Sequence, residues 1–222
     1  MFHLFQKGGP IMWPLLVASL TSMTVVFERI LFVLRQRKLE DLALRKKVLF
    51  LVESGNLKQA LQAGEHAQDS VVRMLVEGLK HKESLTTRLV STASEELKKY
   101  SRGISVLDTI ITLAPLLGLL GTVTGMINAF GLLGAQELGA PSAITGGIAE
   151  ALIATAFGLG IAIFSLIPFN WLNSYVEDVR HQMEAAGSML EVLIAKLERK
   201  QILLNEEGPE AEKVYETTSG IR

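Results

Sequence analysis

From Gly103 to Val179 the chain contains not one Lys or Arg, although 22 basic residues occur among its 222 positions. A soluble domain of that length rarely leaves such a gap in its surface charge, so much of this stretch must face something other than water. Within it lie two mainly apolar segments, 105–133 and 144–172, each longer than the ~20 residues that a helix needs to cross a bilayer. Their sequences are VLDTIITLAPLLGLLGTVTGMINAFGLL from Val106 and ITGGIAEALIATAFGLGIAIFSLIPFNWL from Ile144. A third segment, 11–34, reads IMWPLLVASLTSMTVVFERILFVL. It is too long for the core of a signal peptide, and no small-residue cleavage site precedes the basic stretch that follows it. Hydrophobic residues make up 49% of the chain and charged ones 20%, so oily and wet regions must be segregated along it.

The basic residues then set an orientation, because Lys and Arg next to spans stay on the cytoplasmic side. Arg35, Arg37, Lys38, Arg45, Lys46 and Lys47 follow the first span, and Lys98, Lys99 and Arg102 precede the second. The opposite side holds only Lys7, since the Gly- and Pro-containing linker between the second and third spans carries Glu137 alone. The expected layout is a periplasmic N-terminus (1–10), a first transmembrane helix (11–34), a cytoplasmic helical region (35–104) and a second transmembrane helix (105–133). A periplasmic linker (134–143), a third transmembrane helix (144–172), a cytoplasmic C-terminal helix (173–204) and a disordered polar tail (205–222) complete it. The fold class is an all-α integral membrane protein with three transmembrane helices and long helical extensions into the cytoplasm.

The wet segments read as amphipathic helices. Leu39, Leu42, Leu49, Val52, Leu57 and Leu61 recur at helical spacing, interrupted by Ser54, Gly55 and Asn56 as a turn. Val71, Leu75 and Leu79 mark a second set; Leu85, Leu89, Ala93 and Leu97 begin a third at a four-residue step. This third helix is expected to run on through the membrane boundary as one rod of about 70 Å, at 1.5 Å per residue. Past the last span, Val179, Met183, Leu190, Leu193 and Leu197 share one side of another helix.

Enzyme chemistry finds no foothold. The chain has no cysteine, and its four histidines, His3, His66, His81 and His181, show no metal-ligand spacing. Neither a phosphate-binding G-x-x-x-x-G-K-[ST] loop nor a G-x-S-x-G elbow is present. The expectation is a non-enzyme without cofactor, metal site or nucleic-acid partner, its charged faces being solvated or in contact with other subunits.

What stands out is Glu150, a carboxylate inside the third span with no Lys or Arg in that segment to pair with it. Ionisable groups at such positions are expensive and commonly functional. Around it, small residues repeat at four-residue steps: Gly121, Gly125 and Ala129; Gly147, Ala151 and Thr155; Ala154, Gly158 and Ala162. Such ridges let helices approach closely in lipid and are packing signals first. Thr122, Thr124, Asn128, Thr155 and Ser165 add hydroxyls and an amide, which either bond to backbone carbonyls or line a polar path. Glu150 and Thr155 stand about 140° apart on a helix, so if Thr155 points to a pore, Glu150 faces a seam between helices.

The strings APLLGLLGTVTGMINAF, from Ala114, and GGIAEALIATAFGLGIAI, from Gly146, resemble the paired membrane signatures of the MotA/TolQ/ExbB proton-channel family. The three-span plan is similar to the ExbB/TolQ branch, whereas the flagellar MotA branch has a fourth span. The resemblance implies a homopentamer whose second and third spans surround a central pore. It also implies an ExbD- or TolR-like single-span partner, as a dimer, whose intramembrane Asp takes and releases protons, and a TonB- or TolA-like periplasm-spanning protein beyond it. On this chain it places the pore threonines at Thr122 and Thr155, the membrane glutamate at Glu150 and an inner-end polar residue at Asn170. Gly121, Gly125, Gly147, Ala151 and Gly158 remain packing positions. The sequence departs at Phe164, where relatives commonly have Pro, and carries Pro168 instead, which displaces any helix bend. The implied activity is a motor subunit that spends the proton motive force on outer-membrane transport or envelope maintenance. A structural membrane scaffold is the alternative; a solute-transporter subunit should show inverted repeats, and none is visible.

Overall fold

A computed structural model describes residues 8–135 and 141–219, with side chains described for 8–131 and 145–202. Residues 1–7 of the expected N-terminal segment and half of the 134–143 linker, residues 136–140, lie outside them. Every regular element is helical: α1 (Met12–Leu39), α2 (Leu42–Glu53), α3 (Leu57–Gly64), α4 (Ser70–Lys80), a short 3₁₀ turn (Lys82–Ser84), α5 (Leu85–Ser101), α6 (Ile104–Ala135) and α7 (Pro141–Ser219). The chain divides into two compact units, one of residues 1–35 with 100–176 and the other of residues 36–99 with 177–222.

In the first unit, α1, α6 and the beginning of α7 are long and apolar enough to cross a membrane. Pro14 sits in the first turn of α1, where a missing N–H costs nothing, and Arg37 and Lys38 occupy its last turn, where cations suit the helix dipole. Met12, Leu15, Ala18, Ile110 and Ala114 form its buried core, with Ile11, Leu117, Phe157 and Ile161 packed against them. Large apolar side chains such as Val17, Phe27, Leu116, Ile127, Leu152 and Ile167 point outward, each more than half exposed. A surface of this kind needs lipid or other subunits around it.

At the end where α1 finishes, Arg29 is buried, its guanidinium bound to the Glu28 carboxylate and lying 4.7 Å from the centroid of the Phe32 ring. Phe32, Tyr100, Tyr175 and Trp171 follow one another in ring contact, the amphipathic aromatics expected at a membrane–water interface.

The second unit is built around α4, whose Val71, Val72, Met74, Leu75, Val76 and Leu79 are all buried. Its cap, Asp69, is itself buried and accepts from the backbone N–H groups of Val71 and Val72, from Asp41 N and from Arg45 Nε. Asp41 in turn caps α2 by accepting from Leu44 N at 2.9 Å. The turn expected at 54–56 is present, with Gly55 left-handed at φ 78°. The helices expected around Val71 and after Ser84 correspond to α4 and α5.

Two expectations about helix continuity differ from the structure. The rod expected from Leu85 through the second span is broken: α5 stops at Ser101 and α6 starts at Ile104. Between them Gly103 takes φ 80°, a conformation that L side chains avoid, and its carbonyl accepts the first α6 bonds from Val106 and Leu107. Conversely, α7 is continuous from Pro141 to Ser219, so no boundary falls between the third span and the C-terminal helix. It also runs through most of the stretch expected to be a disordered tail, which holds five Glu, good helix formers, but also Gly208 and Pro209.

Candidate functional site

The conspicuous feature of the first unit is how closely α6 approaches α7. A β-carbon added to Gly121 would lie 2.5 Å from the Ala154 Cβ, one on Gly125 3.0 Å from the Ala151 Cβ, and one on Gly147 2.7 Å from the Ala129 Cβ. At Gly158 it would meet the Ala114 carbonyl oxygen at 2.5 Å, and at Gly118 the Thr155 Cα at 3.0 Å. The two stripes are Ala114, Gly118, Gly121, Gly125, Ala129 and, running the other way, Gly147, Ala151, Ala154, Gly158, Ala162. Both step by four, three, four and four residues, which keeps each stripe on one side of a helix of 3.6 residues per turn. The sequence reading found fragments of these stripes as separate four-step rows and passed over Gly118, whose signal was its place three residues before Gly121.

Gly118 matters because the helices touch there through a polar bond: Thr155 Oγ1 donates to the Gly118 carbonyl at 2.8 Å. Thr122, one turn further along α6, donates to its own helix at Leu119 O at 2.7 Å, and Thr124 does the same to Leu120 O at 2.9 Å. Thr122 is half-buried and borders a shallow apolar cleft with Val123, Met126, Ile127 and Phe130. Both threonine protons are thus committed to carbonyls. What Thr122 and Thr155 offer to an incoming group in this arrangement is oxygen lone pairs, suited to a water or a protonated carboxyl.

Glu150 belongs to a different face. On α7, Ile153 approaches Gly8, Phe157 and Ile161 pack on the core shared with α1, and Ser165 meets Ser22 of α1. Glu150 leads this stripe, its Oε1 occupying the place where a β-carbon on Gly9, in the turn before α1, would go. Thr155 and Glu150 therefore lie at two separate seams of the chain, α6–α7 and α1–α7. No ion pair among the described residues involves Glu150.

Ser22 and Ser165 are a further polar pair that sequence reading missed as a pair, both buried, with their oxygens 2.6 Å apart. Ser165 also donates to Ile161 O at 2.8 Å, so its proton is used and Ser22 is the donor between them. Nothing in the spacing of residues so far apart in the chain could have joined them. Asn170 is exposed next to Trp171 in the middle of α7, Phe164 is exposed as well, and the helix passes Pro168 without interruption. Among the described residues no cluster of His, Asp or Glu could hold a metal ion.

Long apolar helices, a small-residue seam and intramembrane hydroxyls together define a multi-pass helical membrane protein with polar groups inside its helix bundle. Comparison with known proteins narrows the class. Residues 56–185 match the MotA/TolQ/ExbB proton channel family, and the chain belongs to that family. It is 41% identical over 197 residues to the putative biopolymer transport protein ExbB-like 1 of Synechocystis sp., covering 85% of this chain and 77% of the relative. It is 34% identical over 175 residues to ExbB-like 3 of the same organism, covering 76% and 83%. The biopolymer transport protein ExbB of Neisseria gonorrhoeae is 26% identical over 206 residues, covering 85% and 94%.

Proposed function

We propose that the chain is the multi-pass subunit of a proton-driven motor of the inner membrane, with its N-terminus periplasmic and its C-terminus cytoplasmic. Five copies surround a pore lined by α6 and α7, and a single-span ExbD- or TolR-like partner, as a dimer, occupies it. The complex energises outer-membrane transport or envelope maintenance, through a TonB- or TolA-like protein that reaches across the periplasm. Each proton crossing the membrane releases about 2.3 kcal/mol per 100 mV, enough to bias a conformational cycle when several pass.

The observation that carries this reading is Thr155, whose proton goes to Gly118 O where α6 and α7 pack closely together. Its free lone pairs, with those of Thr122, favour the protonated form of a passing carboxyl over the carboxylate, which would want a donor. The two threonines then act as a checkpoint that a partner carboxyl passes neutral. Glu150 stands at the neighbouring seam and tunes or pins that path.

The test is proton flux into liposomes that hold the chain with and without its single-span partner. Flux should need the partner and fall strongly with Thr155→Val, which keeps the shape and removes the lone pairs, while oligomers persist. Full partner-dependent flux in Thr155→Val would sink the checkpoint. The competing reading, a structural scaffold, draws on the same bond, since a hydroxyl spent on a carbonyl is also a packing device. Normal oligomers with no partner-dependent flux at all would favour the scaffold.

A further inference from the structure

Just before the first span the sequence reads GGPIMWPLL from Gly8, a double glycine before proline that no membrane-crossing requirement explains. In the structure both glycines are pressed against α7. A β-carbon on Gly8 would come 2.6 Å from Met12 Sδ and 3.3 Å from Ile153 Cγ2. One on Gly9 would fall on Glu150 Oε1 and lie 2.8 Å from the Glu150 Cδ. Glu150 and Ile153 are three residues apart, so the two glycines sit across a single turn of α7. Gly9 is also left-handed, with φ 71°, and its carbonyl accepts the first bond of α1 from Met12 N at 3.1 Å. Three demands therefore converge on one residue: a backbone conformation that disfavours a side chain, a carboxylate where that side chain would go, and the start of a helix. A helix beginning beside a carboxylate also presents its positive end there, which suits an acid that has no basic neighbour in its own span.

We propose that Gly9 is the positioning residue for Glu150, and that the Gly8–Gly9 turn covers this carboxylate and holds it at the α1–α7 seam. This rests on the proposed proton role only in the use made of Glu150; the contact stands without it. The consequence is that the segment before the first span is part of the site. A side chain at position 9 must push either the turn or the carboxylate aside, which uncovers Glu150 to water.

The experiment uses the full chain in phosphatidylethanolamine–phosphatidylglycerol nanodiscs and a water-soluble carbodiimide with an amine, reading modification of Glu150 by peptide mass spectrometry. Labelling should be slow in the parent chain and several-fold faster in Gly9→Ala. Gly55→Ala supplies the control for backbone strain, since Gly55 has φ 78° but its added β-carbon would meet only Leu197 Cδ2 at 4.0 Å. Labelling in Gly55→Ala should stay at the parent level. Equal labelling in the parent and an assembled Gly9→Ala, or equal acceleration in Gly55→Ala, overturns the proposal. If Gly9→Ala fails to assemble, Gly9→Ala with Glu150→Ala should assemble as Gly55→Ala does, because the collision is gone and only the backbone strain common to both remains; failure of that double variant where Gly55→Ala and Glu150→Ala each assemble is equally fatal. None of these readouts needs a partner or a proton gradient, whereas full partner-dependent flux in Glu150→Ala would count against the proton role and leave the contact untouched.

Discussion

A single helix, α7, passes through both units, and two of its glycines, Gly158 and Gly187, do opposite things. At Gly158 backbone nearly touches backbone: an added β-carbon would sit 2.5 Å from the Ala114 carbonyl and 3.1 Å from the Gly118 Cα. At Gly187 the same carbon would find only the Met74 Cε at 3.7 Å and the Leu89 Cδ1 at 3.8 Å, ordinary contacts with flexible side chains. The difference follows from solvent. In lipid an aliphatic side chain gains little by leaving the surroundings, so helices adhere by close approach and by bonds such as Thr155 to Gly118. In the charged unit, burying Val48, Val52, Leu75 and Leu190 removes them from water, worth about 1.5–3 kcal/mol for each large side chain. There bulk stabilises, and polar groups serve as caps and ion pairs.

The largest effect should come from removing the cap at the centre of the charged unit. Asp69→Ala orphans the N–H groups of Val71, Val72 and Asp41 and leaves Arg45, whose side chain is only 11% exposed, without its carboxylate. Breaking a buried, hydrogen-bonded pair from one side costs on the order of 3 kcal/mol. Hydrogen exchange of the full chain should show α2 and α4 amides exchanging roughly a hundredfold faster, at 1.4 kcal/mol per factor of ten, while α6 is unchanged. Uniform acceleration across both units would mean that they do not differ in the way argued.

Next in size is Gly158→Ala. One methyl group forces α6 and α7 apart along a seam where the opposing atoms are backbone and cannot turn aside. The expected cost is about 2 kcal/mol, read as a lower unfolding midpoint in micelles and weaker oligomers. Parent stability in this variant would show that the close approach is incidental to what holds the spans together.

How much of this contrast could be read from the sequence depends on range. The three spans, the Gly55 turn and the helices around Val71 and Leu85 rest on local composition and periodicity, and those survive in the structure. The break at Gly103 was not legible, because whether a lone glycine bends or ends a helix depends on its φ and on what stands beside it; here Val25 and Arg29 of α1 do. The seam was half legible: small residues announced that helices meet, yet which ones meet required α6 and α7 to be laid antiparallel, and only then does Gly118 join the stripe. Glu150 shows the limit best. Its angle from Thr155 follows from helix geometry, but its neighbour Gly9 lies more than a hundred residues earlier in the chain, and no spacing rule connects them.

Gly187→Ala carries the opposite sign from Gly158→Ala and so sharpens the comparison on one helix with one chemical change. With room for the methyl group and no positive φ to relieve, alanine lowers the entropy of the unfolded chain and should stabilise the charged unit by about 0.5–1 kcal/mol. Slower exchange of the amides around Met183 and Leu190 is the measurement. A destabilisation matching that of Gly158→Ala would place both halves of α7 under the same packing rule.

The smallest effect concerns a charge on the surface of the second unit. The Lys80 ammonium, bonded to Glu77 at 2.7 Å, holds that carboxyl below its usual range against a smaller opposing push from desolvation. A folded-state value below the unfolded one means that the pair stabilises at neutral pH and that this contribution fades as pH falls from the ordinary carboxyl range through the lower folded value. Glu77 is 39% exposed and Lys80 46% exposed, so solvent screens the pair and only a few tenths of a kcal/mol should remain. Glu77→Gln should therefore remove a shallow acid-side slope in the exchange of α4 amides and little else, and salt should erase the difference between the two proteins. A loss comparable to that of Asp69→Ala would mean that exposed and buried carboxylates count alike in this unit, which their unequal access to water argues against.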